Sequence, residues 1–290
     1  MVRRSVLFTP GDRPEMLRKA PSAGADVIVF DLEDAVAPQR KAEAREAVRD
    51  VLSEPSFDPA CEVCVRVNAV DAATGSSAAD DLDVLLGEGA EGTLESVMLP
   101  KAGSADDIRA LADELDKYDA SLPILPVLES AGGILAALEI AAVPATDALV
   151  FGAEDLAADI GATRSAEGLE VLYARERVVL AAAAHDCTAI DTLVTDFEDE
   201  AALREDATFS IQLGYDGKLA IHPDQVAVIN EAFTPSAEER EWAERVFAAK
   251  RDADAEGRGV FAVDGEMIDA PLIARAERIR SRAAAADEWH

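Results

Sequence analysis

Histidine is nearly absent from this chain of 290 residues: His185, His222 and His290 are the whole set. They are too few and too scattered for a metal cluster built on imidazole. Cysteine is equally scarce, with Cys61, Cys64 and Cys187, and an odd count argues against a disulfide framework. Cys61 and Cys64 do form a CxxC. The segment CEVCVRVN reads as a β-strand, however, whose alternation sends the two thiols to opposite faces, so both are expected to be small buried hydrophobes. Basic residues are outnumbered: 27 Lys and Arg, only six of them lysines, face 58 Asp and Glu, for a formal net charge of −31. Such a charge excludes nucleic acid and anionic membrane surfaces as partners. No apolar stretch approaches the roughly 20 residues that span a bilayer. The opening VRRSVLFTPGD reaches Pro10 too soon for a secretory signal.

What is present is a large apolar fraction, 49%, which is enough to bury a substantial core and excludes disorder. The acids are spread along the whole chain and not gathered into a tail, so the charge belongs to the entire surface. Concentrated salt screens the self-repulsion of such a surface, and carboxylates keep it hydrated. The expected setting is the cytoplasm of a halophile.

Short apolar or β-branched runs recur at spacings that leave room for a helix between them. They are SVLFTP from Ser5, VIVFDLE from Val27, VCVRVN from Val63, SVMLP from Ser96, ILPVLE from Ile124, ALVFGAEDL from Ala148, AIDTLV from Ala189 and KLAIHP from Lys218. Most are unbroken apolar segments, as parallel strands buried on both faces require. Helix signals lie between them. Gln39–Leu52 is rich in Ala, Glu and Arg, and Ser104 stands three residues before Asp107 as a capping box ahead of Ile108, Leu111 and Leu115. Gly168–Asp186 places Leu172 and Val179 on one helical face. Eight such β-then-α units predict a (β/α)8 TIM barrel. An open doubly wound sheet is the competing fold, but the turn after the first run is TPGDRP and not a GxGxxG.

The spacing completes the barrel over residues 1–233 and leaves 234–290 as a C-terminal extension. Ser236 and Glu239 open a helix to about Asp254. GRGVFAVDGEMID then forms a hairpin turning at Asp264–Gly265, and a last helix starts at Pro271. Lying outside the eightfold repeat, this extension packs on the barrel or on a neighbouring subunit.

A barrel of this kind carries its active site at the carboxyl ends of its strands. Those ends hold Asp31, Glu33 and Asp34, then Arg66 and Asn68, Lys101, Glu129, Glu154 and Asp155, Asp191 and His222. A carboxylate pocket with little histidine suits a hard cation such as Mg2+. Arginine and lysine beside it supply anchors for carboxylate or phosphate. Taken singly, Asp31, Glu33, Asp34, Glu154 and Asp191 read better as helix caps or ion pairs, and His222 before Pro223 as structural. Glu129 differs, because a charge left unpaired at the end of an apolar strand is costly to bury.

The segments RRSVLFTPGDRPEMLRKA, FDLEDAVAPQRKAEAR, VRVN, VMLPK, VLESAGGI, VFGAEDLAADIGA, GKLAIHPDQ and VFAVDGEMIDAP stand in that order. Together they resemble the citrate lyase β-subunit-like family of the HpcH/HpaI aldolase superfamily, which includes malyl-CoA, β-methylmalyl-CoA and citramalyl-CoA lyases. The resemblance runs from residue 3 to the final helix. It implies a TIM barrel that cleaves a 3-hydroxyacyl-CoA thioester, with Mg2+ or Mn2+, to an acyl-CoA and an α-keto acid, glyoxylate or pyruvate. It implies Glu129 of LES and Asp155 of GAEDL as metal carboxylates, and Arg66 of RVN as the arginine that holds the keto acid beside the metal. Asp269 of MID matches a general acid/base delivered by a neighbouring subunit of a homotrimer or higher homo-oligomer. With CoA along the barrel mouth, Arg13, Lys19 and Lys101 are its phosphate contacts. Four alternatives stay open. They are a citrate lyase β subunit working on an acyl carrier protein, a malyl-CoA thioesterase or malate synthase, a CoA-independent class II pyruvate aldolase, and a non-catalytic binding protein. The aldolase would need a histidine base that three histidines scarcely supply.

Overall fold

The structure is a computed structural model that describes residues 2–70, 77–87, 93–255, 257–286 and 289; His290 lies outside them. The chain forms two compact units, Arg3–Asn230 and Glu231–His290 with Met1–Val2.

The larger unit is the barrel. Its strands are β1 (Ser5–Pro10), β2 (Val27–Asp31), β3 (Glu62–Arg66), β4 (Ser96–Leu99), β5 (Ile124–Leu128), β6 (Ala148–Phe151), β7 (Thr188–Asp191) and β8 (Gly217–Ala220). They pair in sequence order and close, since β1 bonds in parallel both to β2, with Val6 opposite Val27, and to β8, with Val6 opposite Leu219. Every residue of β2 is buried, which is why its run is unbroken. Alternation sorts each strand into two faces. Val6, Val29, Cys64, Met98, Val127, Val150, Ile190 and Leu219, one from each strand, fill the interior. The amino end of the barrel is plugged by ions. Arg3 Nε donates to Glu62 at 2.7 Å, Arg3 NH1 reaches Asp147 at 2.5 Å, and Ser96 Oγ donates to Glu62 at 2.5 Å. The carboxyl end is left for the site.

Two expectations change in detail. The helix expected over Gly168–Asp186 spans Leu172–Ala184, and its buried residues are Ala174, Arg175, Val178, Ala181 and Ala182. Leu172 and Val179 are only half-buried. The small alanines let the helix approach the sheet, and Arg175 is drawn in by Asp191, whose Oδ2 accepts from its Nε at 2.9 Å. Of the CxxC pair, only Cys64 is buried, its thiol pushed up to about 12 by that burial; Cys61, just before β3, is half-buried. The Ser104–Asp107 capping box opens the helix Ala105–Asp116 as expected.

The smaller unit has its own core. Helix Ala237–Ala255 starts at a box in which Ser236 Oγ accepts from Glu239 N at 3.2 Å. Strands β9 (Phe261–Val263) and β10 (Glu266–Ile268) pair antiparallel. The turn between them puts Asp264 and Gly265 at φ 52 and 87, the left-handed region that a two-residue hairpin of this kind demands. Helix Ala270–Ala285 follows, and Val246, Phe261, Ile268 and Ile279 bury together. Among the described residues no helix is long and apolar enough to cross a membrane.

Candidate active site

The inward face of the strands continues past the interior core and becomes polar. Asp31, Arg66 and Glu129 follow Val29, Cys64 and Val127 at the same parity, and they line a cavity of about 190 Å3 whose apolar walls include Phe8, Val127 and Leu219. Sites for drug-sized ligands run to about 300–1,000 Å3. This cavity is smaller than that, so a body the size of CoA would not fit within it.

Glu129 is 6% exposed, and its Oε1 accepts from the backbone N of Lys101 at 2.7 Å. Lys101 sits at φ 55 just beyond β4, a left-handed turn. Burial pushes the Glu129 carboxyl up to about 8; the Lys101 amide works against that shift and the charge of Asp155 adds to it. Gly152, between β6 and the helix Ala153–Asp159, makes room for this side chain. A Cβ there would stand 2.7 Å from Glu129 Cβ and 2.9 Å from its Oε2.

Asp155 lies in the first turn of that helix, exposed and lining the same cavity. Its neighbour Glu154 is paired with Arg164 at 2.9 Å, whereas among the described residues no cation pairs with Asp155. One buried and one open carboxylate thus line one cavity with no salt bridge to either among the described residues, although the charge of Arg66 acts on Glu129. Among the described residues no group of three or more His, Cys, Asp or Glu could hold a metal. Two carboxylates and no soft ligand fit Mg2+, which takes one or two carboxylates and keeps several waters, and do not fit a structural zinc.

Arg66 donates from Nε and NH2 to Asp31 at 2.7 and 2.5 Å, and its NH1 is 3.4 Å from Glu33. Burial opposes the guanidinium charge, but the Asp31 hydrogen bonds overcome it and raise the pKa. The ring of Phe8 lies 4.8 Å from the Arg66 Cζ. Asp31 also accepts from Glu33 N at 2.8 Å and Ala35 N at 3.1 Å, so FDLED is an ion-pair turn under the site. Behind it the ammonium of Lys41 donates to Leu32 O, Glu33 O and Asn68 Oδ1 at 2.7, 2.7 and 2.6 Å. The Lys101 ammonium pairs with Glu33 and is half-exposed at the rim.

Arg66, Glu129 and Asp155 therefore share one cavity, and Lys101 borders it through its amide. Arg13 and Lys19, at the two ends of the short helix Pro14–Lys19, are exposed and do not line it. Asp191 points to the outer layer and is fully buried there against Arg175. His222 stacks on Phe197 with ring centroids 4.8 Å apart. Asp269 belongs to the smaller unit, where it is exposed and caps the last helix, accepting from Leu272 N at 3.5 Å. Among the lining residues that the sequence reading did not single out are Phe8, Gly152 and Thr192. Strand parity was the available signal for all three, since each lies two residues beyond an inward residue, Val6, Val150 or Ile190.

The sequence pattern of the HpcH/HpaI aldolase/citrate lyase family matches residues 4–223. A citrate lyase subunit beta-like protein of Deinococcus radiodurans is 40% identical over 286 residues, covering 97% of each chain. The mitochondrial citramalyl-CoA lyase of Homo sapiens is 38% identical over 290 residues, covering 95% of this chain and 84% of that one. A CitE protein of Mycobacterium tuberculosis, solved with magnesium, acetoacetate and coenzyme A, superposes with a TM-score of 0.80 at 37% identity over 98% of both chains.

Proposed function

The chain belongs to the HpcH/HpaI aldolase/citrate lyase family, and from that premise we propose that it is a Mg2+-dependent carbon–carbon lyase acting on a CoA thioester. The substrate is a malyl-CoA-type 3-hydroxyacyl-CoA, cleaved reversibly to glyoxylate or pyruvate and an acyl-CoA. The observation that carries this reading is the pairing of buried Glu129 with open Asp155 beside Arg66, in a cavity sized for the acid and not for the CoA. Magnesium and CoA bound together in the similar CitE protein support the same reading.

Glu129 and Asp155 would hold the metal, which when bound supplies Lewis acidity to the carbinol oxygen and its neighbouring carboxylate. Arg66, fixed by Asp31, orients that carboxylate and stabilises the negative charge that develops. The carbinol O–H gives up its proton to solvent water as the C–C bond breaks. The bond's electron pair passes to the thioester enolate, and a proton returns to its α-carbon. Asp269 of a second copy, in a homotrimer or higher homo-oligomer, carries that proton. Lys101, Arg13 and Lys19 are cations outside the cavity for the CoA phosphates. The acidic surface supports a halophilic cytoplasm as the setting.

The test is coupled detection of glyoxylate and pyruvate from malyl-, β-methylmalyl- and citramalyl-CoA, using the purified protein alone with Mg2+ in molar KCl. Keto acid release without a carrier protein supports the reading. Free malate or citramalate with no keto acid would make the protein a thioesterase. No turnover of any CoA thioester would overturn the proposal.

A further inference from the structure

Outside the barrel wall, between β7, β8 and the helices over them, lies a charged cluster that the reaction above does not use. Lys218 and Asp191 are both fully buried, and the Lys218 ammonium pairs with Asp206. Arg175 Nε donates to Asp191 at 2.9 Å, and its NH2 to Asp206 at 3.1 Å and Ser210 at 3.1 Å. Well-packed hydrophobic residues often replace such a cluster without loss of stability. Its geometry has one other consequence. Lys218 Nζ donates to Thr192 O at 2.6 Å, and Asp191 Oδ1 accepts from Thr192 N at 2.9 Å. Both main-chain groups of Thr192 are therefore fixed by buried ions.

Thr192 itself faces the other way, into the cavity, and is 4% exposed. Its Oγ accepts from Ala153 N at 3.2 Å. A hydroxyl that accepts still has one proton to donate, and none of the described residues takes it. The lining of the cavity shows what would. Of its fourteen residues, four are carboxyl groups, and once a cation has replaced the Glu129 proton only Arg66 and Thr192 carry a side-chain donor. Arg66 has already committed Nε and NH2 to Asp31. A small acid in this cavity meets one partly occupied guanidinium and one free hydroxyl proton.

We infer that Thr192 is a substrate-binding residue, its hydroxyl donating to the carboxylate of the bound α-keto or α-hydroxy acid alongside Arg66, with the buried Lys218–Asp191–Arg175 cluster holding it in place. The inference rests on the reading that the cavity takes such an acid.

Thr192→Val removes the hydroxyl at nearly constant shape, and Thr192→Ser keeps it. Calorimetric titration of each Mg2+-loaded protein with pyruvate and with glyoxylate reads the contact directly. A separate Mg2+ titration reads the metal site. Thr192→Val should bind both acids about tenfold more weakly, the scale of one hydrogen bond to a charged group. Thr192→Ser should stay within about threefold of wild type, and both variants should keep wild-type Mg2+ affinity. Unchanged acid binding by Thr192→Val overturns the inference. So does a parallel loss of Mg2+ affinity, which would make Thr192 a prop for the Asp155 turn. Thr192→Ser binding as weakly as Thr192→Val also overturns it. A wild-type protein that binds pyruvate with Mg2+ yet cleaves no CoA thioester removes the proposed activity and leaves the Thr192 contact standing.

Discussion

Glu129 keeps its proton at neutral pH until a cation takes the proton's place. Burial sets its carboxyl at about 8 against an ordinary 4.5, so between those values the folded, metal-free protein holds a proton that the unfolded chain has lost. Stability of the metal-free protein should therefore fall as pH rises through that window and level off above it. Mg2+ binds only the ionised form, so the rise in Tm that Mg2+ gives should grow over the same window. Glu129→Gln should flatten both trends. Melts in EDTA and in Mg2+ from about pH 5.5 to about 8.5 check this, and a Mg2+ effect independent of pH would contradict it. At this scale much of the site was legible. Arg66, Glu129 and Asp155 stand at strand ends, and the cavity gathers them. What strand ends alone do not reveal is facing. Asp191 and Thr192 are adjacent, and alternation puts the aspartate in the outer layer and the threonine in the cavity.

Elements differ in how plainly the sequence states them, for physical reasons. A strand buried on both faces has no polar side to interrupt it, so VIVFD is an unbroken run and all eight barrel strands stand where such runs occur. The helix Leu172–Ala184 is harder to read. LYARERVVLAAAA is apolar around most of its circumference, so no period marks the inner face. That face is chosen by contacts far along the chain, above all Arg175 with Asp191. The turn from β6 into Ala153–Asp159 is a third case, because its glycine is required by a side chain from another strand. Gly152→Ala places a Cβ 2.7 Å from Glu129 Cβ with a β-strand on one side and a helix on the other. We expect it to cost about 1–3 kcal/mol of stability, as overpacking does. Displacing Glu129 should also weaken Mg2+ binding by more than about tenfold. Mg2+ titration with a thermal melt checks both, and wild-type affinity in Gly152→Ala would show that the turn yields without moving the carboxylate.

The whole molecule carries a charge of −31, and its two units each have a core of their own. Carboxylate repulsion spread over such a surface is screened over about 10 Å at 0.1 M salt and about 3 Å at 1 M. Tm should accordingly rise between low and molar KCl, and a Tm that does not rise would remove the halophilic reading. The proposed assembly makes the sharper demand. Glu129 lies in the barrel and Asp269 in the smaller unit, where Pro271 restricts Ala270 before it and the Leu272 amide holds the carboxylate at the start of the last helix. If each Asp269 serves the cavity of another copy, one active site draws on two chains. Asp269→Ala and Glu129→Ala should then each be inactive alone. After mixing and subunit exchange, some sites will combine an intact barrel with an intact Asp269, and activity should partly return. In a trimer whose subunits mix at random in equal amounts, a site has about one chance in four of pairing the two intact parts, so recovery should approach about a quarter of the wild-type rate. No recovery after exchange has been verified by mass, or full activity in a monomer, would rule out a site shared between chains.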